Sequence, residues 1–327
     1  MKGIKNMLTP EQILADIKSD RIKKVIIDGD FSAECDDQYT LAYALGCEKI
    51  EVVGVNASAH FDDKYVDTHS TMLKSYAEML RVLHASKIDR NTFPCFMGSS
   101  TQVSHNENFA PSDSPAARNI IKVANEAKEG EIVYVIITGP CSCAVSAYLM
   151  EPSIADKICV IWLGGNEISD RTLEKGCHEW NMYADFKASQ ILLSSDIPLL
   201  MLHAGHNGSG NIVMTFEDFQ KFGSQWDGPW VEQFYSRVLP RTSGVTLAGY
   251  THGWSKIMCD YAGMAALSCP EAMELKIISA PTLEDDGRYT LNPNNKKIIW
   301  GEGHNSDIVT ADAIKWTLNL IERAKKQ

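Results

Sequence analysis

The sequence predicts a single α/β domain with a mostly parallel central sheet flanked by helices, and three observations carry that expectation. Short runs rich in Val and Ile recur along the chain, among them "KKVIIDGD", "EIVYVIITGP" and "KICVIWLGG". Each is bounded by turn residues and followed by a longer helical segment, which is the pattern of strands buried on both faces of a parallel sheet. No repeat, low-complexity tract or clear linker interrupts the 327 residues, so one domain is expected rather than two.

Taken in order, "KKVIIDGD" reads as a strand running into acids. "DDQYTLAYALG" reads as a helix that opens on aspartates, as helix N-termini prefer, and ends at Gly46. "KIEVVGVNASA" is a second strand and "DDKYVDTHSTMLKSYAEMLRVLH" a long helix. "EIVYVIITGP" is a third strand, with "CSCAVSAYLM" its helix. "KICVIWLGG", "ADFKASQILLSS" and "IPLLMLHAG" follow as strand, helix and strand. "EDFQKFG" and "PWVEQFYSRVL" look helical. "RTSGVTLAGYTHGWSKIM" is a Gly-rich connection long enough to be a functional loop. "CDYAGMAALS" is a helix opening on Asp260. "KIISA", "RYTLN" and "KKIIW" suggest a small strand addition before the last helix, "ADAIKWTLNLIERA". The first 24 residues form a helical extension to this scheme.

A formal net charge of −11 offers no basic footprint for phosphate, so nucleic acid and anionic membrane surfaces are excluded as partners. The N-terminal stretch lacks the apolar core of about 7–15 residues that a signal peptide carries. No apolar run reaches the roughly 18 residues of a membrane span. Nine scattered cysteines, an odd number, fit reduced thiols and a cytoplasmic location. "CSC" (Cys141, Cys143) has no matching second pair, so a zinc site is not expected.

Five acids crowd into ten residues: Asp28, Asp30, Glu34, Asp36 and Asp37, with apolar runs on both sides. Ligands of open parallel sheets sit at the carboxyl ends of the strands. Asp28 and Asp30 end the first strand, Asp36 and Asp37 head the next helix, Thr138 and Gly139 end the third strand, "WLGGN" ends the fourth, and Asp260 begins a later helix. Several carboxylates with a backbone carbonyl make a hard-oxygen site for Ca²⁺ or Mg²⁺, which would compensate the repulsion. The competing reading of any one acid is a helix cap with solvated neighbours. A DxD after an apolar strand also suits a Mg²⁺-dependent aspartate phosphatase of the haloacid dehalogenase type, with Asp28 as nucleophile, but the later acidic pair that such an enzyme needs cannot be placed.

At these residues the chain resembles the inosine-uridine-preferring nucleoside hydrolases. The opening signature stands as "DGDFSAECDD", with a loop about two residues longer than the family's and without its Pro-Gly. "VIITGPCSCAVSAYLMEPSIADKICVIWLGGN", "EWNMYADFKASQILLSSDIPLL" and "CDYAGMAALSCPEAM" are similar to three later family segments, in order, from about residue 25 to 273. The resemblance implies a Rossmann-like nucleoside hydrolase fold. It further implies a Ca²⁺-dependent hydrolase that cleaves the N-glycosidic bond of ribonucleosides to base and ribose, as a homo-oligomer (dimer or tetramer).

By position, the resemblance makes Asp30, Asp37, Asp260 and the Thr138 carbonyl the Ca²⁺ ligands. Asp30 would also be the base that deprotonates the attacking water, with Asp28 orienting from behind. Asp36 would hold a ribose hydroxyl, and Glu179 and Asn181 the ribose on its 5′ side. Asn166, in the Gly-Gly turn, joins the substrate-binding candidates. The chemistry agrees: carboxylates stabilise an oxocarbenium-like sugar, and a cation with open positions chelates a diol and lowers the pKa of water. Cys259 stands where the family often has His, which leaves the leaving-group acid unassigned. His252 is a candidate acid and Trp254 a candidate lid over the base, against a plain surface loop. Trp180 could stack on a base, but core packing beside Glu179 is the favoured expectation. His203 and His206 are expected to be structural or to face the same sheet edge. The non-enzymatic alternative is a ribose- or nucleoside-binding relative without turnover.

Overall fold

A computed structural model describes residues 8–60, 68–205, 208–223 and 255–327. The elements, in chain order, are α1 (Pro10–Ile17), β1 (Lys23–Gly29), α2 (Asp36–Gly46), β2 (Ile50–Ala57), α3 (Thr68–Ala85), β3 (Cys95–Met97), α4 (Pro115–Glu126) and β4 (Val133–Ile137). Then come α5 (Ser142–Met150), β5 (Ile158–Leu163), the short α6 (Asp170–Glu174) and α7 (Trp180–Ala184), α8 (Phe186–Ser194) and β6 (Leu199–Leu202). The C-terminal part holds β7 (Val213–Thr215), α9 (Phe216–Gly223), β8 (Ser255–Ile257), α10 (Tyr261–Ser268) and β9 (Met273–Ser279). It closes with β10 (Thr282–Leu283), β11 (Tyr289–Thr290), β12 (Lys297–His304) and α11 (Ser306–Lys325).

Among the described residues the main sheet has eight strands in the order β3-β2-β1-β4-β5-β6-β12-β9. Every neighbouring pair is parallel except β12 with β9. The predicted single α/β domain with a mostly parallel sheet is therefore what the chain forms. Most of the expected small strand addition joins this sheet. "KKIIW" runs parallel to β6, and "KIISA" closes the sheet as its antiparallel edge strand. Only "RYTLN" lies apart, where β11 pairs with β10.

Alternate residues of each central strand enter two different cores, as parallel strands covered on both faces require. Val25 and Ile27 face the core under α2, α10 and α11, whereas Ile26 faces the core under α4, α5 and α8. Gly46 ends α2 where α2 meets α11: a Cβ there would lie 1.8 Å from the Trp316 carbonyl oxygen. Its role is close packing of two helices rather than a left-handed turn. The helix expected over 184–195 is α8, which starts two residues later because Asp185, with a non-helical backbone, caps it by accepting the Ala188 amide; the short α7 precedes it. α1 starts on a reciprocal cap between Thr9 and Gln12 with Pro10 at its first position. Its Asp16 receives the Tyr134 hydroxyl at 2.7 Å, which ties α1 to β4.

Candidate active site

The sheet order grows outward in both directions from β1 and β4, so the carboxyl ends of these two strands flank the switch point where ligands bind in such sheets. Thr138 continues the pairing past β4 by donating its amide to the Asp28 carbonyl at 2.9 Å. Gly29 between the first two aspartates permits the approach: a Cβ there would sit 2.9 Å from Thr138 Oγ1 and 3.0 Å from Asp37 Oδ1. Asp36 and Asp37 enter from the first turn of α2, and Asp260 from the residue that begins α10. Carboxylate oxygens of Asp36, Asp37 and Asp260 all lie within 4.8 Å of one another. Asp30 stands beside Asp37, close enough for a carboxyl–carboxyl hydrogen bond.

All four of these acids are buried. Burial raises each carboxyl, and mutual repulsion adds to it. Asp37 is pushed to about 7 by burial and Asp36, against the Thr138 hydroxyl bond at 2.6 Å. Asp30 and Asp260 stand well above the usual range through burial and the neighbouring aspartates. Asp36 is raised by burial, and the Lys256 charge opposes the rise. Crowded buried carboxylates beside a backbone carbonyl suit a hard divalent cation, which would offset their repulsion. The Thr138 carbonyl also accepts from Asn181 Nδ2 at 2.8 Å, which leaves one lone pair for a ligand.

Asp28 lies behind this group. It is fully buried, held by Asn56 Nδ2 at 3.1 Å, and raised to about 6 by burial. It does not line the cleft, so it cannot serve as the nucleophile that the phosphatase alternative needs. Glu179 caps α7: Oε1 accepts from the Asn181 amide, and Oε2 from the Met182 and Gly165 amides. These bonds fix the carboxylate in orientation at the wall of a cleft of about 620 Å³. Asp30, Asp36, Asp37, Thr138, Asn181 and Asp260 line the same cleft.

Other expected residues fall elsewhere. Asn166 is not among the described residues lining the cleft; its carboxamide oxygen accepts the His178 amide at 2.9 Å. Trp180, the first residue of α7 after the Glu179 cap, is 54% exposed and lines the cleft rather than the core. His203 is buried and stacked on Trp300 at 5.2 Å, a structural placement. His206, His252 and Trp254 lie outside the described residues.

Sequence reading missed the partner of Glu34. Phe31 and Cys35 of the long "FSAEC" loop are buried in the core, and Gln38 Nε2 pins the Phe31 carbonyl at 2.7 Å. Glu34 is thereby held at the rim, where it forms an ion pair with Lys256 from β8. Lys256, Cys259 and His60 all line the cleft. Burial and Asp36 push the Cys259 thiol up to about 12, so it keeps its proton and is a weak donor. The nine cysteines are free thiols. Among the described residues no helix is long and apolar enough to cross a membrane.

Comparison with known proteins agrees with this arrangement. The sequence profile of the inosine-uridine preferring nucleoside hydrolase family matches residues 25–315. No curated protein matches the sequence significantly. Among solved structures, a plant nucleoside hydrolase superposes with a TM-score of 0.66 at 18% identity, over 90% of this chain and 98% of its own. A purine-preferring ribonucleoside hydrolase from Gardnerella vaginalis gives 0.68 at 17% identity, over 92% and 100%. An inosine-uridine preferring nucleoside hydrolase from Bacillus anthracis gives 0.62 at 16%, over 91% and 100%.

Proposed function

The chain belongs to the inosine-uridine preferring nucleoside hydrolase family, enzymes that cleave N-ribosyl bonds, and from that premise we propose that it hydrolyses ribonucleosides to free base and ribose with Ca²⁺ as cofactor. The observation that carries the reading is the convergence of four buried aspartates, without a lysine or arginine hydrogen-bonded to Asp30, Asp37 or Asp260 among the described residues, on a nucleoside-sized cleft at the sheet's switch point. Asp37, Asp260, Asp30 and the Thr138 carbonyl would hold the ion, with Asp36 close enough to share it. When bound there, a hard cation chelates a vicinal diol and lowers the pKa of water.

The protein's own groups do the rest. Asp30 accepts a proton from the attacking water, as a carboxylate positioned at the cleft can. The water oxygen bonds to C1′, the C1′–N bond breaks, and its electron pair leaves with the base, which takes up one proton. Asp36 accepts a ribose hydroxyl, and the surrounding carboxylates stabilise the positive charge that develops on the sugar. Glu179 and Asn181 orient the 5′ side. Trp180 offers an exposed ring at the wall for a base to stack on. Asp28 keeps β1 in place from behind. His252 and Trp254 remain candidates for closing over the base. The enzyme would work as a homo-oligomer in the cytoplasm, which sedimentation and localisation tests address.

The test is a substrate panel. Inosine, guanosine, adenosine, uridine and cytidine are incubated with the enzyme in Ca²⁺, and free ribose and base are measured. Release from at least one nucleoside is expected; the purine-preferring and inosine-uridine preferring names of the similar structures make both base classes necessary. Tight nucleoside binding without release would replace the reading with a binding protein.

A further inference from the structure

Lys256 is the only lysine or arginine among the described residues that line the cleft, against six acidic residues: Asp30, Glu34, Asp36, Asp37, Glu179 and Asp260. Such a wall favours positive charge on the sugar. It opposes the negative charge that gathers on the base as the C1′–N electron pair departs. The reaction proposed above therefore needs a cation at the base end, and Cys259 does not supply one.

The ammonium is built in rather than free. Its side chain is 14% exposed, whereas its partner Glu34 is 52% exposed at the rim. One of its three protons goes to Glu34 and another to the Ile257 carbonyl at 3.0 Å, which leaves a third for a ligand. Lys256 and Cys259 line the cleft together, and the lysine's charge reaches the Cys259 thiol, the position where the family often has the His that serves the leaving base; this puts Lys256 at the base end. The two chain segments that place it are the long 31–35 loop and β8, neither of which carries a proposed metal ligand.

We infer that Lys256, held by Glu34, is the hydrogen-bond donor that stabilises the negative charge on the departing base. The inference rests on the proposed nucleoside hydrolysis. Lys256 keeps its proton throughout; the base is protonated from water, so the reaction still consumes one water and yields ribose and the neutral base. The substrates are then nucleosides whose base offers an acceptor atom near the breaking bond, such as a purine nitrogen or a pyrimidine carbonyl.

The test compares leaving groups on the Ca²⁺-loaded enzyme. Inosine and uridine need charge stabilisation on the base; 4-nitrophenyl riboside releases a stable phenolate without it. Lys256→Met is expected to lower kcat on the nucleosides roughly 10²- to 10³-fold, the cost of losing one preorganised donor. KM and turnover of the aryl riboside should stay nearly unchanged, which also shows that the variant is folded. Lys256→Arg should recover part of the nucleoside rate. Glu34→Gln, at a positioning residue, should give a smaller loss with the same selectivity. Equal losses on both substrate types, or no loss on nucleosides, would overturn the role of Lys256 alone. A wild-type enzyme that turns over neither type would overturn the hydrolase reading and this inference together.

Discussion

Asp30 and Asp28 are two residues apart and do different work. Asp30 reaches the cleft beside Asp37, while Asp28 is sealed behind it against Asn56. Asp30→Asn should therefore cost at least about 10²-fold in kcat, the usual worth of a positioned base. It should not lower the thermal midpoint of the metal-free protein, because it removes a repelled buried charge. A variant with wild-type turnover would remove Asp30 as the base. The aspartates were legible in the sequence because a DxD at a strand end and an Asp pair at a helix start are local patterns. The Glu34–Lys256 pair was not, because its members are 222 residues apart and only the fold brings β8 to the loop. Trp180 was misplaced for a related reason. A tryptophan beside an apolar helix suits the core or a cleft wall equally well, and only the fold shows that this one is exposed at the wall.

Elements with strong apolar runs were read with nearly correct bounds: α2 is residue for residue the expected "DDQYTLAYALG". α4 was passed over although Ser114 caps it and Pro115 opens it, a start signal that its polar outer face obscured. The pairing of β9 and β12 was not readable, since an edge strand and a separate hairpin have the same local pattern and differ only in long-range partners. Gly46 ends α2 as expected, and its lack of a side chain also lets α2 lie against α11. Gly46→Ala should then cost about 1–3 kcal/mol through overpacking, read as a fall of several degrees in thermal midpoint. An unchanged midpoint would show that the two helices can separate freely.

For the whole molecule, the acid cluster couples stability, pH and metal. Asp37 is raised to about 7, and Asp30 and Asp260 well above their ordinary range, so the folded metal-free protein holds more protons than the unfolded chain above about pH 4. The stability these groups contribute is full below the unfolded carboxylate pKa and is lost as pH rises through the raised values. The chelated protein should thus show a lower thermal midpoint at pH 8 than at pH 5. Ca²⁺, which binds the carboxylates and displaces their protons, should raise the midpoint more at pH 8. Equal increments at both values would place the ion away from these acids. The most direct measurement of the central claim is ribose release from a nucleoside by chelated enzyme as Ca²⁺ is added back, with Asp37→Asn and Asp260→Asn in parallel. Activity should be absent without the ion, return along its binding curve, and stay low in both variants at the same concentrations. Full activity in the chelated enzyme, or wild-type curves in both variants, would contradict it.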